Sequence, residues 1–197
     1  IVTLARQDVV WDRVGKFFSQ PGDDRVQSIN LIEFAGHDAD VVNADTRALC
    51  DQLDALLGQE HEAVGYQLAT TDADIVSLWE LRAKGVGLLG NTAGHRRPIP
   101  FVEDTVVPPE HLAAYIQEFR QVLDAYGLEY GMFGHVDVGC LHVRPALDLK
   151  DEADEQLIRV ITDQVKDLVL KYGGVVWGEH GKGLRGEYMP EFFGPEL

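Results

Sequence analysis

Cysteine is nearly absent from these 197 residues: Cys50 and Cys140 are the only two, and neither belongs to a CxxC pair. That argues against a disulfide framework and for a reducing compartment. Basic residues are also scarce, 17 Lys and Arg against 33 Asp and Glu, for a net charge of -16. So acidic a surface repels phosphate backbones, and nucleic acid is not an expected partner. No apolar run approaches the length that spans a bilayer, so no transmembrane segment is expected. No repeat of fixed period and no low-complexity tract is visible. The opening IVTLARQDVV has neither Met nor a basic n-region and does not read as a signal peptide. Together with the closing MPEFFGPEL, it reads as a cut through a longer polypeptide. The expected location is the cytoplasm or the inner face of the membrane, peripherally, and a homo-oligomer is allowed.

What is present is an ordinary globular composition, 45% hydrophobic and 25% charged, enough for one domain with a real core. Residues 26–35 (RVQSINLIEF) and 62–70 (EAVGYQLAT) carry the β-branched and aromatic content of strands. Between them, Leu49, Leu53 and Leu56 share a helical face over 44–57. Thr71 and Asp72 can cap a helix reaching about Leu89, with Ile75, Leu78, Trp79 and Arg82 along one side. A Gly- and Pro-rich loop follows, with a short strand in PFVEDTVV. Pro109 suits a first helical turn, and Leu112, Ile116, Phe119, Leu123 and Tyr126 make that helix strongly periodic. EYGMFGHVDVG and CLHVRPAL read as two strands around a bend. The longest helix covers 151–172, with Leu157, Ile161, Val165, Leu168 and Tyr172 on one face. VVWGEHGKG reads as a short buried strand running into a glycine-rich loop. The expected fold is α+β: a mostly antiparallel sheet covered by helices, with ferredoxin-like β-α-β repeats.

Two segments carry chemistry. In GHVDVGCLHVRP, His135 and His142 lie seven residues apart with Gly139 between them. An odd spacing on an unbroken strand would place them on opposite faces, so only a bend can bring both rings to one point. Imidazole suits Zn, Mn, Fe or Co, but taken alone this segment reads better as two unrelated histidines, since lone His pairs are common. In GEHGKG, Glu179 and His180 stand side by side between glycines. Glycine permits backbone turns that would let Glu179 reach a metal while His180 faces a substrate. Two His and one carboxylate leave coordination positions open, as a catalytic metal needs. Arg82, half buried on its helix, could clamp a carboxylate through two parallel bonds or form a flank salt bridge. Arg96, Arg97 and Arg144 (with Lys182) are basic spots in an acidic chain, suited to an anion or to solvent.

The pair GHVDVGCLHVRP and VVWGEHGKGLRGEY resembles the C-terminal domain of FAD-linked oxidases, the family of D-lactate, glycolate and D-2-hydroxyglutarate dehydrogenases. Its usual pattern is GHxGDGNLH followed downstream by GEHGxG. Here Asp137, Val138 and Cys140 stand where the family commonly has Gly, Asp and Asn. With PIPFVEDTVVPPEHL and LHVRPALD, this variant is similar to a subgroup of large bacterial proteins that join the flavin oxidase to an iron–sulfur region.

The resemblance implies that residues 1–197 form one substrate- and metal-binding domain, without the FAD-binding domain that would be its partner in the same polypeptide. It implies a divalent metal, Zn or Mn, held by His135, His142 and Glu179. It implies His180 as general base, Arg82 as ligand of the substrate carboxylate, and FAD bound mainly elsewhere, by residues this chain does not identify. The implied reaction oxidises a D-2-hydroxy acid to the 2-oxo acid. D-2-hydroxyglutarate or D-lactate is the expected substrate, and Arg96, Arg97 or Arg144 would suit a second carboxylate. Two other readings are a non-catalytic cap or docking domain of a large redox protein, and a metal-free relative oxidising phenols or aldehydes.

Overall fold

The computed structural model describes residues 11–18, 28–57, 65–88, 95–181 and 183–196. Internal contacts gather into two compact units, one within residues 2–85 and one within 86–197. No described helix is long and apolar enough to cross a membrane.

The first unit holds a single turn, α1 (Trp11–Val14), and two longer helices, α2 (Ala39–Leu56) and α3 (Asp72–Leu88). Asp38 caps α2 by accepting from the amides of Asp40 and Val41. Thr71 caps α3 through Oγ1, which accepts from the Asp74 amide at 3.2 Å. The expected strands over 26–35 and 62–70 are not formed at their described residues, 28–35 and 65–70. β-branched composition does not make a strand unless a neighbour takes up its N–H and C=O groups. None of the described residues does so, and Ile29, Leu31, Ile32 and Phe34 stay exposed. Helix α3 also buries a different stripe from the one expected. Ser77, Leu81 and Gly85 face inward at i, i+4 and i+8, so Arg82 is exposed rather than half buried.

The second unit is an α+β layer built on one strand. Its elements are β1 (Arg97–Pro98), β2 (Thr105–Val106), α4 (Leu112–Asp124), β3 (Tyr130–His135), β4 (Cys140–Leu147), α5 (Glu152–Lys171) and α6 (Met189–Phe193). Every pairing is antiparallel, and β4 is the common partner. It meets β3 from Tyr130↔Pro145 to His135↔Cys140, β2 at Leu141 and Cys140, and β1 at Leu147 and Ala146. Pro109 opens the turn before α4, and α4 and α5 lay their apolar faces on the sheet. Tyr115, Phe119, Leu123, Val143, Ile161 and Val169 are fully buried in that core.

Two strands are shorter than their sequences suggest. PFVEDTVV forms strand only at Thr105–Val106, because Asp104 takes φ 71° and breaks the extended path. VVWGEHGKG forms a single bridge, Val175 with Val106, before the chain turns away. The two-residue strand at Arg97–Pro98 was read from sequence as loop. Its proline sits where an edge tolerates the missing donor.

Candidate active site

The β3–β4 hairpin resolves the odd spacing of the two histidines. A short 3-10 turn, Val136–Val138, and Gly139 join the strands so that His135 pairs with Cys140. His142 lies two residues beyond Cys140 on the same face, which makes it the diagonal neighbour of His135. The ring centroids are 5.6 Å apart and nearly perpendicular. Gly139 makes this possible: it sits at φ 70°, and a Cβ there would stand 1.9 Å from the Val107 carbonyl oxygen. His142 is buried, stacked between Phe133 at 4.9 Å and His180 at 4.8 Å.

Glu179 enters from the turn after Val175. Its Oε1 lies 3.0 Å from His142 Nε2, 3.3 Å from His135 Nε2 and 3.6 Å from His180 Nε2. Two donors on a tetrahedral zinc, with bonds of about 2.0–2.1 Å, stand about 3.3 Å apart. The Nε2 atoms of His135 and His142 thus each stand at such a separation from one Glu179 oxygen. Ligand atoms of Asp104, His142, Glu179 and His180 also lie within 4.8 Å of one another, an overlapping set that adds Asp104 and His180 and omits His135. Both Asp104 oxygens accept from backbone amides, as described below, and His135 turns its Nε2 toward Glu179. Burial, first, and the charge of neighbouring His180 hold the His142 imidazole below its ordinary pKa. That keeps the ring neutral, the form that ligates. Its Nδ1 is buried without a hydrogen-bond partner, so the polar contacts of the ring run through Nε2. The donor set fits a divalent ion of the zinc or manganese kind.

His180 faces Glu179 through Nε2 and Glu103 through Nδ1, the latter at 3.4 Å from Oε1. Glu103 is itself pinned: Arg144 Nε donates to its Oε2 at 2.6 Å and Nη2 to its Oε1 at 3.3 Å. Of the expected anion-binding arginines, Arg144 is thus one carboxylate away from His180. Arg96 is drawn elsewhere, in a two-pronged pair with buried Asp154 (2.9 and 2.7 Å), and Arg97 donates to the Arg96 carbonyl. Arg82 belongs to the first unit. Lys182 lies outside the described residues.

Four groups at this site were not singled out from sequence as functional: Glu103, Asp104, Cys140 and Arg185. Cys140 Sγ sits 3.7 Å from His142 Nε2 and 3.9 Å from Asp104 Oδ1. Burial, with help from the carboxylates of Asp104 and Glu179, pushes its thiol up to about 11. The available signal was two acids embedded in the apolar run FVEDTVV, where strand patterning gives carboxylates no reason to be.

The family described as FAD linked oxidases, C-terminal domain, matches residues 2–197, and the chain belongs to it. The chain is 51% identical over 199 residues to a D-2-hydroxyglutarate dehydrogenase of Escherichia coli (strain K12), covering all of this chain and 19% of that protein. It is 48% identical to a D-2-hydroxyglutarate dehydrogenase of Haemophilus influenzae, again over all of this chain and 19% of the relative. A D-lactate dehydrogenase of Archaeoglobus fulgidus is 30% identical over 66% of this chain and 27% of its own length. The chain spans about a fifth of the length of these D-2-hydroxyglutarate dehydrogenases.

Proposed function

We propose that this chain is the substrate- and metal-binding wall of an FAD-dependent D-2-hydroxy acid dehydrogenase, and that its substrate is D-2-hydroxyglutarate in preference to D-lactate. The observation that carries the reading is the convergence of His135 Nε2 and His142 Nε2 on one oxygen of Glu179, at 3.3 and 3.0 Å. A relic or cap domain has no reason to keep three ligands in chelating register. The substrate preference rests on the 48–51% identity to proteins named for D-2-hydroxyglutarate, against 28–30% for those named for D-lactate.

His135, His142 and Glu179 would hold the ion. A divalent ion there supplies Lewis-acid polarisation of the substrate's hydroxyl and carboxylate, and the flavin of the FAD-linked class takes up the hydride. His180 does the proton work. With its proton on Nδ1, beside the Glu103 carboxylate at 3.4 Å, the His180 ring would offer Nε2 as the lone pair that accepts the hydroxyl proton. Stacking on buried His142 fixes the plane of that ring. The Arg144–Glu103 pair holds the carboxylate that Nδ1 faces, so Arg144 serves the site through Glu103. Arg82 keeps the role the family resemblance implies, as partner of a substrate carboxylate. Arg96 and Arg97 are weaker candidates for a second carboxylate, since Arg96 already answers Asp154. A cytoplasmic location, an iron–sulfur region and an FAD-binding domain in the same polypeptide complete the proposal.

The test separates ligand from base. In the enzyme that contains this chain, His142→Ala should lose both bound metal and turnover, and chelation of the wild type should do the same reversibly. His180→Asn should retain metal and lose turnover by about a hundred- to ten-thousandfold, the usual share of a general base. Full turnover without metal, or metal loss in both variants alike, would overturn the assignment.

A further inference from the structure

Asp104 is a fully buried acid with a left-handed backbone, at φ 71°, a conformation that costs most residues energy. Its carboxylate does something specific in return. Oδ1 accepts from the Glu179 amide at 2.8 Å; Oδ2 accepts from the amides of Gly178 and His180 at 2.9 and 3.0 Å. The Asp104 carbonyl takes a further bond from the Gly178 amide at 2.9 Å. Three consecutive amides of the GEHG turn thus converge on one side chain. The approach is close enough to demand Gly178: a Cβ there would lie 2.8 Å from Asp104 Oδ1 and 2.7 Å from Val106 Cγ2. From the far side of the turn, Arg185 Nη1 donates to the Glu103 carbonyl, clasping residues 103–104 against 178–185.

We propose that Asp104 is the positioning residue of the metal centre. By gathering the amides of Gly178, Glu179 and His180 on its carboxylate, it sets where the Glu179 oxygen meets the two histidines and where the His180 ring stacks. The geometry favours this role ahead of direct ligation, because both oxygens already accept backbone donors. The physical economy is that one charge orients two adjacent functional side chains at once, through the backbone they share. Without it, a glycine-flanked turn has no reason to prefer the one arrangement that chelates. The inference rests on the metal reading above, but the amide pattern can be measured without any metal.

Asp104→Asn is the informative variant, since asparagine tolerates φ > 0 as well as aspartate does. Its amide NH2 replaces one acceptor and must face a backbone N–H. The measurements are the backbone amide proton shifts of residues 178–180 in the metal-free chain, and zinc affinity by titration. We expect all three amide protons to move upfield and the zinc Kd to rise about ten- to a hundredfold, the usual effect of losing a group that orients a ligand. If Asp104→Asn fails to fold, Gly178→Ala keeps the carboxylate but pushes the turn off it, and the same two readouts should move the same way. Unchanged amide shifts in a folded variant would overturn the proposal. So would zinc loss with the amides unmoved, which would make Asp104 a direct ligand. If the wild-type chain takes no zinc while Asp104→Asn still shifts the three amides, the metal reading fails and the positioning of the turn stands.

Discussion

The two units of this chain are built to different standards. Residues 86–197 close a core in which Tyr115, Phe119, Leu123, Leu147 and Ile161 are fully buried and one strand, β4, serves three partners. In residues 2–85, helix α2 buries none of its side chains, and Ile29, Leu31, Ile32 and Phe34 lie open beside it. The difference follows the chemistry. His135, His142, Glu179 and His180 all stand on the unit whose packing fixes them. Arg82 stands on the other.

That contrast can be broken most directly by truncating a side chain in each unit. Phe119→Ala removes a fully buried ring from α4 and should cost about 3–5 kcal/mol in denaturant unfolding of the second unit. Ile32→Ala removes a mostly exposed side chain and should stay within about 0.5 kcal/mol. Comparable losses would show that the first unit has a core of its own making.

A subtler contrast concerns function. Arg82→Ala should raise KM for the 2-hydroxy acid roughly tenfold to a hundredfold, the worth of a charge-assisted two-pronged bond of about 1.5–3 kcal/mol. Metal content and thermal stability should stay at wild-type values, because Arg82 is exposed. A fall in stability equal to that of a core variant would erase the distinction between the units.

The smallest effect is one of pH. The Asp148 amide, first, and the Arg96 guanidinium hold the Asp154 carboxyl below its ordinary range. A depressed folded-state pKa contributes stability above the unfolded value, near 3.9, and loses it as pH falls through the folded one. Asp154→Asn should therefore flatten the acid limb of the stability curve of the second unit below about pH 4, and leave its slope near neutrality alone.

Much of the second unit was legible in its sequence. The periodicity of Leu112, Phe119 and Leu123, and of Ile161, Val165 and Leu168, marked the two helices because each buries one stripe on a sheet. The pairing of His135 and His142 was legible only in part. Their types allow a ligand pair without requiring one, and the register that puts them on one face depends on a turn whose shape Gly139 and the Val107 carbonyl decide together. Asp104 was not legible, because nothing in FVEDTVV tells that a backbone will turn left-handed to offer its side chain to amides 75 residues away. The strands over 26–35 and 62–70 were misread for the opposite reason. Their composition is right for strands, and composition cannot supply the neighbour that a strand requires.

Strand β4 has a further consequence for how the site fails. Its residues exchange backbone bonds with three other strands, and His142 lies midway along it. Freeing that imidazole by local fraying would mean severing several ladders at once, which is as demanding as melting the sheet. The His142 imidazole is thus fixed by the sheet itself, whereas the Glu179 carboxylate is fixed through the amides of its turn. Rearrangement at this cluster should therefore begin at the turn and leave the strand in place.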